Sequence, residues 1–423
     1  MTDLFELSDR LLSGSSSMSG HNPLSLATGA RLQPVTDNIA FIEAFGNVIG
    51  VRDGGEFGIV DAGGPLHAQA VVDSARGWTD NPLRSAVFTH GHVDHIAAVK
   101  LFEAEGHGPA RVLAHEAVPR RFARYELTRG YNGVINQRQF QLAGPYFPGE
   151  YRYPDETYSD AATMHVGSIE LALRHDRGET DDGTWVWIPS DKVLCTGDLF
   201  IWASPNCGNP QKAQRYCDEW AAALRKMADL GAEFMLPGHG LPIAGADRIR
   251  SVLLDTARYL ETIFDQTIEM MNAGARLTDI VATVRPPADL EDRPWLQPVY
   301  DEPEFVVRGI WRLYGGWYDG NPAHLKPASD RAFSVELAAL AGGVERLVER
   351  ALELCDASGD TERDTDLRLA AHLIEMASQA EPDSVEVRRA RATVFGKRAE
   401  VERSTMAKGV FSWAVKESAD PIE

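Results

Sequence analysis

The chain has 423 residues, of which 44% are hydrophobic and 25% are charged, a composition typical of a folded protein. Single hydrophobic cores rarely grow beyond about 250–300 residues, so this length predicts about two domains. Lys and Arg number 42 against 62 Asp and Glu, which gives a net charge of −20. This acidity argues against a nucleic-acid partner and against attraction to anionic membranes.

The first 30 residues are rich in Ser and Gly, and we expect them to form a loosely held arm. They contain no apolar core of a secretory signal, and no run of about 18 apolar residues predicts a membrane span anywhere. The four cysteines match no zinc-ribbon spacing and are expected to stay reduced. These features predict a cytoplasmic protein without membrane insertion.

Strand and helix patterns alternate from about residue 35 to residue 240. Several apolar segments end in a polar or Gly-rich turn, which is where α/β folds place their chemistry. The pair 184–189 and 192–198 resembles a hairpin and predicts that the sheet is mixed. The predicted strands are 39–45, 57–63, 85–90, 110–115, 169–175, 184–189, 192–198 and 233–238.

Helical periodicity replaces the strands after about residue 245. Segment 248–274 predicts one long amphipathic helix that is stopped by Gly274. Further helices are predicted at 335–355, 366–380 and 384–409. We therefore predict three parts: an N-terminal arm at 1–30, an α/β catalytic domain at 31–245 and an α-helical domain at 246–423.

The segment His90-Gly91-His92-Val93-Asp94-His95 concentrates ligand-type side chains directly after a predicted strand. Zinc prefers imidazole nitrogen and carboxylate oxygen as ligands. His90 and His92 are two residues apart, so both rings project to the same side of an extended chain. Asp94 and His95 follow where the loop can turn them toward a second ion. The segment therefore predicts a site for two metal ions.

The remaining ligands are expected at the ends of other strands. His239 lies in the glycine-flanked turn LPGHG, and Asp198 lies in CTGDLF, where its carboxylate could bridge two ions. Asp61, in IVDAGG, is predicted to hydrogen-bond a ligand histidine or a loop amide instead.

The order THGHVDH, then an acid after a strand, then GHG, resembles the metallo-β-lactamase superfamily over about residues 35–245. The resemblance implies an αββα sandwich, in which two mixed sheets are covered by helices and the metals lie at one edge. The ligands that it implies are His90 and His92 for the first ion, Asp94, His95 and His239 for the second, and Asp198 between them.

A further ligand is predicted in HDRGETDDGT (175–184), where the superfamily usually has a histidine before the bridging acid. Glu179 occupies that position here, and with it three carboxylates and one hydroxide would balance the charge of two divalent ions. Hard carboxylates do bind zinc. The alternative is that Glu179 is a solvated acid beside Asp181 and Asp182, and that His175 is the ligand.

Residues 314–327, YGGWYDGNPAHLKP, are similar to a stretch in the helical dimerisation domain of the alkyl sulfatase branch. That branch also carries glutamate in place of the usual histidine, and it implies a homodimer. The resemblance is incomplete around Asp198. Alkyl sulfatases have a bridging glutamate there and a nearby histidine that is a candidate proton donor, whereas TGDLFIWASPN contains neither.

Candidate substrate-binding residues lie in RGYNGVINQRQF (129–140), where alkyl sulfatases carry an aromatic- and arginine-bearing loop. Tyr131, Asn136 and Arg138 are predicted to bind an anionic or polar head group, because the guanidinium fork suits sulfate oxygens. An ordinary surface helix is the alternative. Trp202 is predicted to line an apolar channel, with core packing as the alternative.

Together these features predict an enzyme, a dinuclear metal-dependent hydrolase that acts on an alkyl sulfate or a related ester through a metal-bound hydroxide. Asp94 is expected to orient the attacking water as well as to bind metal. The cofactors are predicted to be two divalent ions, zinc first, with iron or manganese as alternatives. Lactone, carboxylester or phosphodiester hydrolysis, and diiron redox chemistry on the same fold, are the alternative functions.

Overall fold

A computed structural model describes residues 3–16, 24 and 29–419, which divide into two compact units. The first unit comprises Met1–Arg129, Pro148–Gln297 and Asp301–Gly316. The second comprises Gly130–Phe147, Pro298–Tyr300 and Trp317–Glu423. Among the described residues, no helix is both long enough and apolar enough to cross a membrane.

Seven strands form the first sheet of the first unit, and they are adjacent in the order in which they occur along the chain. Pairing is antiparallel from β1 to β4 and parallel from β4 to β7. The strands are β1 Arg31–Pro34, β2 Ile39–Glu43, β3 Val48–Asp53, β4 Glu56–Val60, β5 Leu83–Phe88, β6 Arg111–His115 and β7 Glu156–Tyr158.

Six strands form the second sheet, in the order β13-β12-β11-β10-β9-β8. Only β11 and β12 pair in parallel among these described strands, so this sheet is mixed like the first. The strands are β8 Ala161–Val166, β9 Ile169–His175, β10 Thr184–Ile188, β11 Val193–Ile201, β12 Phe234–His239 and β13 Ile243–Ala244.

The two sheets share one hydrophobic core. Phe41 and Val87 of the first sheet belong to the same buried cluster as Leu173, Leu194 and Leu236 of the second. Burying apolar side chains from both sheets stabilises a layered sandwich, because each sheet hides one face against the other. The predicted sandwich of two mixed sheets is therefore confirmed.

Eight α-helices of the described chain belong to the first unit. The predicted long helix is present as α7, and it ends next to Gly274, whose φ of +77° suits a helix C-terminus. The helices are α1 Leu4–Leu12, α2 Ala68–Arg76, α3 Val99–Glu103, α4 Val118–Leu127, α6 Cys217–Ala228, α7 Ala246–Asn272, α8 Leu277–Thr283 and α9 Pro303–Gly315.

Helix α1 differs from the loose arm that the composition predicts. Leu4 and Leu11 are fully buried in the core of the first unit. The Asp3 carboxylate caps the helix by accepting a 2.8 Å hydrogen bond from the Phe5 amide, and the Leu4 amide donates to Gln33 Oε1 at 3.1 Å. The amphipathic pattern outweighs the polar composition. Residues 17–23 and 25–28, which belong to the predicted arm, lie outside the described residues.

The second unit is helical and has its own core, which includes Leu347, Ala370, Ile374 and Val394. The predicted single helix at 335–355 is wrong, because consecutive glycines with φ of +95° and +129° interrupt it at 342–343. Segment 384–409 is likewise two helices. The helices are α5 Arg129–Phe140, α10 Pro322–Leu325, α11 Asp330–Ala341, α12 Val344–Ala357, α13 Thr365–Ala380, α14 Val385–Val401 and α15 Thr405–Ala419.

The change from strands to helices near residue 245 is present, since β13 is the last strand of the described chain. However, α7, α8 and α9 belong to the first compact unit together with the sheets. The predicted domain boundary near 245 therefore remains a prediction.

Candidate metal centre

Ligand-type side chains converge where strands of the two sheets end. β5 ends at Phe88 and continues into the His90–His95 segment, β12 ends at His239, and β11 carries Asp198. Glu179 lies in the loop between β9 and β10. β5 belongs to the first sheet, whereas β11 and β12 belong to the second, so the packing of the two sheets on one core brings together side chains that are distant in sequence.

The first ligand group consists of His90, His92, Glu179 and Asp198, whose ligand atoms all lie within 4.8 Å of one another. His92 Nδ1 is 3.3 Å from Glu179 Oε2, and His90 Nε2 is 3.6 Å from Asp198 Oδ2. A tetrahedral zinc ion with bonds of about 2.1 Å places its ligand atoms about 3.4 Å apart. The group therefore has the dimensions of a divalent metal site.

The second ligand group consists of Asp94, His95 and His239. His239 Nε2 is 3.5 Å from Asp94 Oδ2 and 3.3 Å from His95 Nε2. Asp198 also faces this group, with Oδ1 at 3.4 Å from His95 Nε2 and Oδ2 at 3.3 Å from His239 Nε2. Asp198 thus lies between the two groups, as expected of a bridging carboxylate.

Three polar atoms at the centre lack hydrogen-bond partners among the described residues. They are His90 Nε2, Glu179 Oε2 and Asp198 Oδ1, and all three are buried. Buried polar atoms nearly always have partners, because leaving one unpaired costs ~1–3 kcal/mol, and more when it is charged. A divalent cation would satisfy all three atoms. The nitrogen and oxygen donors suit zinc and also accept iron or manganese.

Asp61 supports the histidines from behind. It has a φ of +60°, which is uncommon for a residue other than glycine. Its Oδ2 accepts hydrogen bonds from His95 Nδ1 at 2.9 Å and from the Thr89 hydroxyl at 2.8 Å, and its Oδ1 accepts from the Thr89 amide at 2.7 Å. The Thr89 hydroxyl is 3.0 Å from His90 Nδ1. A proton on Nδ1 leaves the Nε2 lone pair of each ring available for metal.

Burial controls the protonation of the first ligand group. It lowers the pKa of His90 to about 4, with help from the nearby His95, and it holds the pKa of His92 well below its usual range. Both rings are therefore neutral at physiological pH, which metal binding requires. Burial raises the pKa of Glu179 to about 7, although the Arg215 guanidinium opposes this shift.

Glu179 is held in place by two side chains that the sequence did not single out. The Asn206 amide donates to Glu179 Oε1, and an Arg215 guanidinium nitrogen lies 3.3 Å from the same oxygen. Arg215 also donates to the backbone carbonyl of Glu179. These contacts occupy one carboxylate oxygen and leave the other, Oε2, facing His90 and His92.

His175, the alternative ligand, belongs to neither group. Its Nδ1 lies 2.8 Å from the carbonyl oxygen of Gly183, and its ring stacks on His115 with centroids 3.7 Å apart. Glu179 is buried, so the alternative of a solvated acid does not describe it. The geometry is that of the ligand set expected with Glu179, and the ligand roles themselves remain a proposal.

Trp202, the fourth predicted substrate residue, lies in the hydrophobic core. It is fully buried, and its indole N–H donates to the Leu241 carbonyl at 2.8 Å. It belongs to the hydrophobic core of the first unit together with Phe200, so core packing is the role that the structure supports.

Tyr131, Asn136 and Arg138 lie on α5, in the second compact unit. They belong to neither ligand group. Their predicted contact with substrate therefore stays a prediction.

Two families of known proteins match the chain in succession. Residues 42–239 match the metallo-β-lactamase superfamily, and residues 276–420 match the alkyl sulfatase dimerisation family. A linear primary-alkylsulfatase of a Pseudomonas species is 27% identical over 80% of this chain and 67% of its own length. An alkyl/aryl-sulfatase of Saccharomyces cerevisiae is 22% identical over 64% of this chain and 46% of its own length.

A solved structure shows the same fold. The stereoselective inverting sec-alkylsulfatase of a Pseudomonas species superposes with a TM-score of 0.82 at 20% identity, over 92% of this chain. The chain spans about two thirds of the length of that protein, since the match covers 66% of it.

Proposed function

The chain belongs to the metallo-β-lactamase superfamily, in the branch that carries an alkyl sulfatase dimerisation domain, and on that premise we propose that it hydrolyses alkyl sulfate esters with the help of two divalent metal ions. The observation that carries the proposal is the pair of adjacent ligand groups that share Asp198. Glu179 completes the first group in the position where most of the superfamily has histidine.

Divalent ions held by these residues would lower the pKa of a water molecule and polarise an oxygen of the ester. Asp94 is the most open of the three carboxylates that face the centre, with 23% of its side chain exposed against 8% for Asp198 and 4% for Glu179. It can therefore accept a hydrogen bond from an incoming water while its Oδ2 faces His95 and His239. This arrangement supports the role of orienting the water that attacks the ester.

Positive charge beside the centre favours an anionic substrate. The Arg215 side chain is buried, and its Nε has no hydrogen-bond partner among the described residues. Lys212, three residues earlier, has a pKa lowered to about 8 by burial and by Arg215, against the opposing charges of Asp94 and Glu179. Arginine and lysine are the side chains that bind sulfate and phosphate oxygens, so the segment suits a sulfate head group.

We infer zinc as the metal, because a set of imidazoles and carboxylates of this size suits tetrahedral zinc. We also infer a homodimer formed through the second unit. Trp317 and Leu340 are 72% and 77% exposed there, and large apolar side chains on a surface mark contact sites. Measuring the mass in solution by light scattering tests the dimer.

The test of the proposed activity is the release of inorganic sulfate from medium-chain alkyl sulfates by zinc-replete protein. We expect turnover by the unaltered chain, loss of turnover in His92→Ala, and full turnover in His165→Ala. His165 is an exposed histidine outside both ligand groups, so it is a matched control.

The negative outcomes separate the alternatives. If the metal-loaded protein releases no sulfate but cleaves a lactone, a carboxylic ester or a phosphodiester, the metal centre stands and the sulfate assignment falls. If the purified protein contains iron and shows visible absorption, diiron redox chemistry becomes the leading function.

A further inference from the structure

We propose that Asp182, paired with Arg121, is a positioning residue for the first ligand group, because it fixes the peptide between His90 and His92. The inference rests on the proposed metal dependence of the enzyme. It concerns residues that lie outside both ligand groups.

The central contact is a hydrogen bond to the backbone of the metal-binding segment. Asp182 is fully buried, and its Oδ2 accepts from the Gly91 amide at 3.1 Å. Gly91 separates His90 from His92, so a rotation of its peptide plane would move both rings. A Cβ on Gly91 would lie 2.9 Å from Arg121 Cδ and 3.2 Å from Asp182 Oδ2. Glycine at this position therefore permits the close approach of the pair to the backbone.

Arg121 keeps the Asp182 carboxylate ionised and oriented. Arg121 lies on helix α4, its Nε donates to Asp182 Oδ2 at 2.6 Å, and only 3% of its side chain is exposed. Burial alone would raise the pKa of Asp182, but the Arg121 charge holds that pKa below its usual range. Buried ion pairs contribute little net stability, because desolvation offsets their attraction. The presence of a buried Asp182–Arg121 pair here is better explained by its hydrogen bond to the Gly91 backbone than by its contribution to stability.

The effect should be confined largely to the first ligand group. In the second group, His95 is held by Asp61 and His239 Nδ1 contacts the Phe45 carbonyl. The neighbouring Asp181 also contacts Arg121, but 46% of its side chain is exposed. Asp181 therefore provides a matched control: an adjacent carboxylate on the same guanidinium, without the bond to Gly91.

The experiment is a stepwise titration of the metal-free 423-residue chain with Co²⁺, monitored by visible absorption. His92→Ala identifies the step that belongs to the first group. We expect Asp182→Ala to weaken that step by about 10–100-fold, the usual loss when a residue that orients a ligand is removed. The other step should change by less than about 3-fold. Asp181→Asn should leave both steps as they are.

Asp182→Asn keeps the proposal testable if the alanine variant does not fold. Its amide oxygen can still accept from Gly91, so we expect a smaller loss than in Asp182→Ala, again at the first step. Two outcomes would overturn the inference. One is an equal loss of affinity at both steps. The other is an unchanged affinity at the first step in Asp182→Asn and, if it folds, in Asp182→Ala. If one of these outcomes is found while the unaltered chain binds two Co²⁺ and releases sulfate, only this inference fails. If it binds no metal, the proposed function fails as well.

Discussion

The two ligand groups share Asp198, yet the protein supports them by different means. Behind the second group stand Asp61, a carboxylate that accepts from His95, and the backbone carbonyl of Phe45. Beside the first group stand cations: Arg215 lies 3.3 Å from Glu179, and Arg121 pairs with the carboxylate that holds Gly91. A carboxylate therefore accepts from an imidazole of the second group, whereas a guanidinium lies against a carboxylate of the first.

This difference predicts which of the two ligand groups should bind its metal ion more tightly. A carboxylate behind a ligand imidazole makes the ring more basic and strengthens its bond to metal. A guanidinium on a ligand carboxylate competes with metal for the same negative charge. We therefore expect the second group to fill before the first when metal is added stepwise.

Removing the carboxylate of Asp198 should have the largest effect, because this side chain faces both ligand groups. In Asp198→Ala, both groups lose a ligand and the central negative charge, so we expect each metal affinity to fall by more than about 100-fold and sulfate release to disappear. Elemental analysis after dialysis measures the bound metal. The exposed Asp80→Ala serves as the control, and retention of two metal ions in Asp198→Ala would contradict the bridging position.

Asp61→Asn should weaken metal binding at the second ligand group more than at the first. The single side-chain oxygen of Asp61→Asn cannot accept from His95, the Thr89 hydroxyl and the Thr89 backbone amide together. We therefore expect the metal affinity of the second group to fall by about 10–100-fold. The first group should lose less, because His90 reaches Asp61 only through the Thr89 hydroxyl. Competition with a chelator measures both constants. An equal loss at both groups would show that Asp61 supports them alike.

Gly238→Ala should disturb the space that both groups share. A Cβ there would lie 2.2 Å from Asp198 Oδ1 and 2.7 Å from the carbonyl carbon of Gly197, so the carboxylate and the β11 backbone beside it must move. We expect a loss of turnover and metal affinity that is smaller than in Asp198→Ala, because the carboxylate is displaced rather than removed. Gly396→Ala in α14 meets nothing within 4 Å and is the control. Unchanged activity in Gly238→Ala would mean that Asp198 can relocate without consequence.

Asp301→Asn should change how the stability of the protein depends on pH. Asp301 anchors the segment that supports Glu179 of the first ligand group, so the variant tests that support. Burial raises the pKa of Asp301 to about 7, although the Gly208 and Glu302 amides donate to its carboxylate at 2.6 and 2.7 Å. Between about pH 4 and pH 7, the folded chain therefore keeps a proton that the unfolded chain has lost. The stability of the folded state should fall as pH rises through this window, by at most about 1.4 kcal/mol per pH unit.

The Asn variant lacks this titration, so its free energy of unfolding relative to the unaltered chain should rise between about pH 4 and pH 7. Urea unfolding in the presence of a chelator measures the difference without a contribution from metal. Parallel curves for the two proteins would show that Asp301 does not titrate in this range.

The sequence predicted the strands that carry the ligands, because each is a short apolar run bounded by a turn. All eight predicted strands are present within a few residues of their expected bounds. The sequence did not predict β1, β3, β7, β8 and β13. β3 contains Gly50 and is buried on both faces over its first four residues, so it shows no alternation, while β7 and β13 are very short.

The proximity of the side chains in the two ligand groups was predictable, because metal binding restricts residue types and their spacing. The residues that hold them were not. Asp182 meets Gly91 across 91 positions of sequence, and Asn206 meets Glu179 across 27. Asp and Asn are common in loops for local reasons, so nothing in their surroundings distinguishes a buried partner from a solvated turn residue.

The order of the ligands along the chain has a consequence for the protein while it is being made. Ribosomes release the chain from its N-terminus, and domains fold as units once their sequence has emerged. The first ligand group is complete in sequence at Asp198, but the second lacks His239 until β12 has been synthesised. Both groups belong to the first compact unit, which runs to Gly316. A nascent chain paused between these points would therefore hold every residue of the first group in a unit that has not yet folded.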